Sequence, residues 1–190
     1  MEYASGGELV DLIIAHGRLQ EQVARRFFRQ IIGAVDYCHG MHVVHRDIKL
    51  ENILLDSQFR IKLIDFGLSN VYVPGQFLKT FCGSPTYTAP ELIQRHAYEG
   101  PEVDIWSLGV VLFVLVTGDL PFDGKNFSDL FTKIVNAQYL VPDFLSEDCK
   151  SLISRMLVVD PTQRCSLDDI RRHPWIYVNG EPVPKATIPD

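Results

Sequence analysis

The chain has 190 residues and a hydrophobic fraction of 46%, which suits one compact core and excludes a disordered tail. Its net charge of −6 comes from 18 basic and 24 acidic residues with no lysine or arginine run, which argues against nucleic-acid or polybasic membrane binding. The four cysteines, Cys38, Cys82, Cys149 and Cys165, lie far apart without C-x-x-C spacing, so zinc and dithiol readings are poor and reduced intracellular thiols are expected.

Glu2, Glu8 and Asp11 fall where a signal peptide would need an apolar run. Ser5-Gly6-Gly7-Glu8 reads as a capping box for a short helix that runs to His16 and stops at Gly17. A longer helix is expected over Glu21–His39, with Val23, Phe27, Ile31 and Val35 on one apolar face, widened by Phe28 and Ile32. Two apolar runs, Ile53–Leu55 and Ile61–Ile64, flank a turn at Asp56-Ser57 and read as a small hairpin. The stretch Leu68–Tyr87 holds Pro74-Gly75, Gly83 and Pro85, and a loop of that length is usually functional. Ala89-Pro90-Glu91 starts a helical turn. From Glu102 to Gly118 the sequence is apolar nearly all round, as in a helix buried on every side. Its longest apolar run, Leu108–Thr117, is about half a membrane span. Asn126, Ser146 and Ser166 are positioned to cap three further helices, over Phe127–Asn136, Glu147–Leu157 and a last short one ending by His173-Pro174.

Chemistry concentrates in His45–Gly67. There an acceptor carboxylate, Asp47, is followed by Lys49, the amide of Asn52 and a second carboxylate, Asp65. Phosphoryl transfer needs such a set: one group orients the attacking hydroxyl and two oxygen ligands hold Mg²⁺ on the nucleotide phosphates. Taken singly, Asn52 reads as a turn-capping amide and Asp65 as a strand-end acid.

H-R-D-I-K-L-E-N, then D-F-G, then A-P-E, followed by D-I-W-S-L-G, resemble the protein-kinase motif set over Met1 to Ile176. Lys49 and G-S-P-T-Y resemble serine/threonine rather than tyrosine kinases. M-E-Y-A-S-G-G-E-L and L-K-T-F-C-G-S-P resemble the AMP-activated-kinase-related family. A-R-R-F-F-R-Q-I, L-E-N-I-L-L-D and G-L-S-N-V-Y look most like its NUAK branch, with MARK next.

The resemblance implies a mainly α fold, a protein-kinase-like large lobe with a small β-hairpin carrying the catalytic and metal-binding loops. Residues 1–176 are expected as hinge plus C-terminal lobe and residues 177–190 as a linker. It implies an enzyme that moves the γ-phosphate of ATP, with Mg²⁺, to protein serine or threonine hydroxyls. Asp47, Lys49 and Asn52 are its implied catalytic residues, and Asn52 and Asp65 its metal ligands. Glu2, Ala4, Glu8, Glu51, Asn52, Leu54 and Asp65 surround the implied nucleotide site, behind Met1 at the gatekeeper position. Glu8 reads equally as a helix-capping glutamate. Glu51 is a candidate partner for a substrate arginine, with a solvated charge as its alternative. Thr80 aligns with an activating phosphosite whose partner is Arg46. Glu91 with Arg164, and Asp104, are implied scaffold residues.

Expected partners are protein substrates with basic residues upstream of the target and an upstream activating kinase, without nucleic acid or a transmembrane segment. The expected location is intracellular, cytoplasmic or nuclear. No G-x-G-x-x-G or V-A-I-K occurs in the chain. The N-terminal lobe is therefore expected to be absent, and this segment alone to be inactive. A non-catalytic standalone lobe that binds partners is the alternative reading.

Overall fold

The computed structural model describes residues 6–78, Thr80, 82–177 and Val183. Seven helices and four short strands form in that range. The helices are α1 (Leu9–His16), α2 (Glu21–Gly40), α3 (Pro90–Ile93), α4 (Pro101–Thr117), α5 (Phe127–Val135), α6 (Glu147–Met156) and α7 (Leu167–Arg172). The strands are β1 (Val43–Val44), β2 (Ile53–Leu55), β3 (Ile61–Leu63) and β4 (Asn70–Val71). The described chain is largely helical, as expected.

α4 is the axis of the molecule. Its side chains from Val103 to Val116 are all buried, and it packs between α2 and α6. Pro101 opens it at the first helical position, where a missing N–H costs nothing. Gly109 lets α6 approach, since a Cβ there would lie 2.8 Å from Leu157 Cδ2 and 3.0 Å from Met156 Cβ. Trp106 stacks on Phe122 with ring centroids 5.5 Å apart. Among the described residues, no helix is long and apolar enough to cross a membrane.

Three expected caps form: Asn126 accepts from the Asp129 N–H at 2.9 Å, Ser146 from Cys149 at 3.2 Å and Ser166 from Asp169 at 3.1 Å. The first cap differs from expectation. Ser5 lies outside the described residues, and Glu8 itself occupies the cap position of α1, its N–H donating to Asp11 Oδ2 at 3.1 Å. Sequence spacing alone fits either register, because Asp11 stands as far from Glu8 as Glu8 does from Ser5. On α2, Phe27, Phe28, Ile31, Ile32 and Val35 are buried, but Val23 is exposed, and in the first turn it is Ala24 that faces the core.

The expected hairpin pairs β2 with β3, Ile53 opposite Leu63 and Leu55 opposite Ile61. Asp56 closes its turn, accepting from the N–H groups of Gln58 and Arg60 on Oδ1 and from Arg60 Nε on Oδ2. A second pair was not expected: β1 meets β4, with Val43 opposite Val71. It closes the chain around the whole stretch from His45 to Gly67. Most of 177–190 lies outside the described residues. Val183 is buried, and its carbonyl accepts from Arg171 at 3.0 Å.

Candidate active site

The site is built where β1, the hairpin and β4 converge. His45 ties two of its segments. Nε2 donates to the Ile64 carbonyl at 2.9 Å, which requires the ring proton there, so Nδ1 accepts the Asp47 N–H at 3.3 Å. The next tie comes from α4: Asp104 accepts from the N–H of His45 at 3.0 Å and of Arg46 at 2.8 Å. His39 Nε2 lies 2.7 Å from the same carboxylate. Arg46 has a left-handed backbone, φ 68°, so these hydrogen bonds hold a conformation that a non-glycine residue rarely adopts.

Asp47 is buried and surrounded by donors. Its Oδ1 accepts from the Ser84 N–H at 3.0 Å and Ser84 Oγ at 2.8 Å. Its Oδ2 meets Lys49 Nζ at 3.0 Å and Asn52 Nδ2 at 3.3 Å. Lys49 Nζ also donates to Ser84 Oγ at 2.7 Å, closing a ring of three side chains. Burial pushes the Asp47 carboxyl up, but the hydrogen bonds from Lys49 and Ser84 and the Lys49 charge outweigh it and hold the group below the usual carboxylate range. In the sequence Ser84 stood only as the serine of G-S-P-T-Y, with no role of its own.

Asn52 is buried, and its Nδ2 donates to the Asp47 carbonyl at 2.9 Å. That bond commits the amide nitrogen, so Oδ1 is the Asn52 atom that could hold a metal ion. The Asn52 carbonyl accepts the Ile64 N–H at 3.0 Å, which sets Asp65 on the neighbouring strand end. Asp65 is exposed with a left-handed φ of 61°, and its Oδ1 accepts the Gly67 N–H at 3.2 Å. The donor set fits Mg²⁺, a hard cation that takes one or two protein oxygens and completes its shell with phosphates and water. Among the described residues no three His, Cys, Asp or Glu gather at ligating distance, so no all-protein metal cage stands there.

The other expected positions divide. Leu54 is half-buried and lies beside Glu8 through a backbone bridge. Glu8 is exposed at the α1 cap, and Glu51 is exposed beside the catalytic loop. Met1, Glu2 and Ala4 lie outside the described residues. Thr80 is exposed, and Arg46 reaches it only indirectly: Nη1 donates to the Tyr98 hydroxyl at 3.1 Å, which donates to the Thr80 carbonyl at 3.0 Å. Tyr98 carried no local signal in the sequence. All four cysteines are free, and burial pushes Cys82 up and Cys149 to about 12. Those thiols are poor nucleophiles.

Glu91 and Arg164 form the expected buried pair at 2.8 Å. The family model for the protein kinase domain matches residues 1–176. The chain is 58% identical over all 190 residues to "Probable serine/threonine-protein kinase MARK-A" of Dictyostelium discoideum, and it spans 18% of that relative's length. With the H-R-D residues hydrogen-bonded into one site, the D-F-G residues on the neighbouring strand end, the A-P-E glutamate paired with Arg164 and the family model covering nearly the whole chain, the chain belongs to the protein kinase domain family.

Proposed function

We propose that the protein transfers the γ-phosphoryl group of ATP to serine or threonine hydroxyls of protein substrates. The observation that supports this most is the ring of Asp47, Lys49 and Ser84, which joins the catalytic loop to the Leu68–Tyr87 stretch.

Asp47 orients the substrate hydroxyl and receives its proton. A carboxyl held below the usual range is a weak base, which suits a transition state in which that proton leaves late. Lys49 steadies the transferring phosphoryl as a point charge. Asn52 Oδ1 and the Asp65 carboxylate hold Mg²⁺, which when bound neutralises charge on the nucleotide phosphates. Glu2, Ala4, Glu8 and Leu54 border the nucleotide. Glu51 pairs with a basic residue upstream of the target. An upstream kinase phosphorylates Thr80, and the added charge engages Arg46.

The test is turnover of a basic serine peptide by the full-length protein with Mg-ATP. Asp47→Asn is expected to lower kcat by about 10²–10⁴-fold, the usual worth of a positioned acid or base, with nucleotide binding retained. Wild-type turnover by that variant would remove Asp47 from the chemistry and with it this reading.

A further inference from the structure

The link between Arg46 and the Thr80 carbonyl exists without any added group, and Tyr98 makes it. Tyr98 is 3% exposed and is held by its main chain, its N–H and carbonyl pairing with those of Leu78 at 3.2 and 2.7 Å. Its hydroxyl has forced roles. A guanidinium only donates and a carbonyl only accepts, so the hydroxyl accepts from Arg46 Nη1 at 3.1 Å and donates to the Thr80 carbonyl at 3.0 Å. Arg46 Nε is already given to the Leu68 carbonyl at 2.6 Å, whereas its Nη2 makes no hydrogen bond among the described residues. The Thr80 main chain is thus anchored while its side chain stays exposed.

The same arginine touches the segment again through its main chain. Gly83 has a φ of 102°, and a Cβ there would lie 2.9 Å from the Arg46 carbonyl oxygen. The next residue is Ser84, which grips Asp47. Arg46 thus lies against this segment at two points, one of them next to the residue that grips Asp47.

We propose that Tyr98 is a positioning residue, a phosphate-independent latch that holds the Thr80 main chain to Arg46 before Thr80 is modified. A phosphate on Thr80 brings its own acceptor oxygens and its own tie to Arg46, through the open Nη2. The Tyr98 hydroxyl then matters most to the unmodified protein. The link to Thr80 phosphorylation rests on the proposed kinase reading; the latch itself does not.

The experiment compares full-length wild type, Tyr98→Phe and, as a control, Tyr72→Phe, whose hydroxyl donates to the His39 carbonyl at 3.1 Å elsewhere in the fold. Amide hydrogen exchange of the peptide covering residues 76–84 is read with Thr80 unmodified and phosphorylated. Loss of a hydrogen bond to a charged group corresponds to about tenfold faster exchange in unmodified Tyr98→Phe, and less than about threefold in the phosphorylated form. The ratio of phosphorylated to unmodified kcat should rise about tenfold as well. Tyr72→Phe should leave that peptide unchanged. Equal acceleration in both forms, acceleration throughout the molecule, or none at all overturns the latch. Faster exchange only in the unmodified form, in a protein that turns over no peptide, sustains the latch and sinks the kinase reading.

Discussion

Asp47 is a carboxylate whose lone pairs are already committed in the resting protein, and this shapes both its acidity and its use. Its folded pKa lies below the unfolded value, so the group adds stability at pH above about 4 and loses it as pH falls through the depressed folded value. Ser84 Oγ is the donor that can be removed without touching the catalytic loop itself. Ser84→Ala leaves the backbone N–H on Oδ1 but takes the hydroxyl from both Asp47 and Lys49. The Asp47 carboxyl should move up toward the ordinary range, visible in a carbon-detected carboxyl titration. Peptide phosphorylation should fall about tenfold, the worth of one hydrogen bond to a charged group. Ser84→Thr keeps the hydroxyl and should restore most of both. A Ser84→Ala variant with unchanged titration and turnover would mean that the ring is incidental to the chemistry.

At the scale of elements, the helices are fixed as much by distant ties as by their own sequences. Glu21, the first residue of α2, accepts from the Ser146 N–H at 2.7 Å, from Ser146 Oγ at 2.6 Å and from Trp175 Nε1 at 2.7 Å. One carboxylate thus holds the start of α2, the start of α6 and the turn after α7. Burial pushes the Glu21 carboxyl up, yet the Ser146 and Trp175 hydrogen bonds and the charge of Arg25 leave it lowered, so this contribution is present above about pH 4 and fades at lower pH. Glu21→Gln removes the charge and one acceptor oxygen, and should cost about 1–2 kcal/mol in a denaturant titration at neutral pH with a smaller loss near pH 3. An equal loss at both pH values would assign the effect to packing. This tie also shows where sequence reading ends. The caps at Asn126, Ser146 and Ser166, the buried α4 and the Ile53–Leu63 hairpin were legible because each is written within a few residues. The pairing of β1 with β4 was not, since two-residue strands carry no alternation. Glu21 with Trp175, Ser84 with Asp47 and Tyr98 with Arg46 join residues far apart in the chain, and no local pattern announces such partners. Asp47, Lys49, Asn52 and Asp65 could be named from the sequence as a motif set, and the structure joins the first three directly. What holds them in place could not be read from the sequence.

At the scale of the molecule, the site depends on one buried charge pair outside it. Arg164 has no exposed side-chain surface and donates to both Glu91 oxygens, at 2.8 and 3.0 Å. It also donates to the carbonyls of Val158 at 2.9 Å and Glu102 at 2.6 Å, and its guanidinium carbon lies 5.2 Å from the Trp106 ring. These contacts join α3, the first turn of α4 and the segment after α6. α3 follows the Leu68–Tyr87 stretch that carries Ser84, and α4 supplies Asp104 to the N–H groups of His45 and Arg46, so the pair ties together the two segments that meet in the Asp47 ring. A buried ion pair adds little over an apolar substitute, but removing one partner strands the other. Glu91→Gln keeps the shape and leaves the Arg164 charge uncompensated, for a loss of about 3–5 kcal/mol. For a folded unit of this size that is a drop in Tm of about 6–20 °C. Turnover measured well below the lowered Tm should fall too, because α3 and α4 lose their common anchor. Glu91→Gln together with Arg164→Met removes both charges and should recover much of the Tm, since no charge is then left unpaired. If the double variant melts no higher than Glu91→Gln alone, the pair's hydrogen bonds to main-chain carbonyls, and not its charge balance, hold the two segments together.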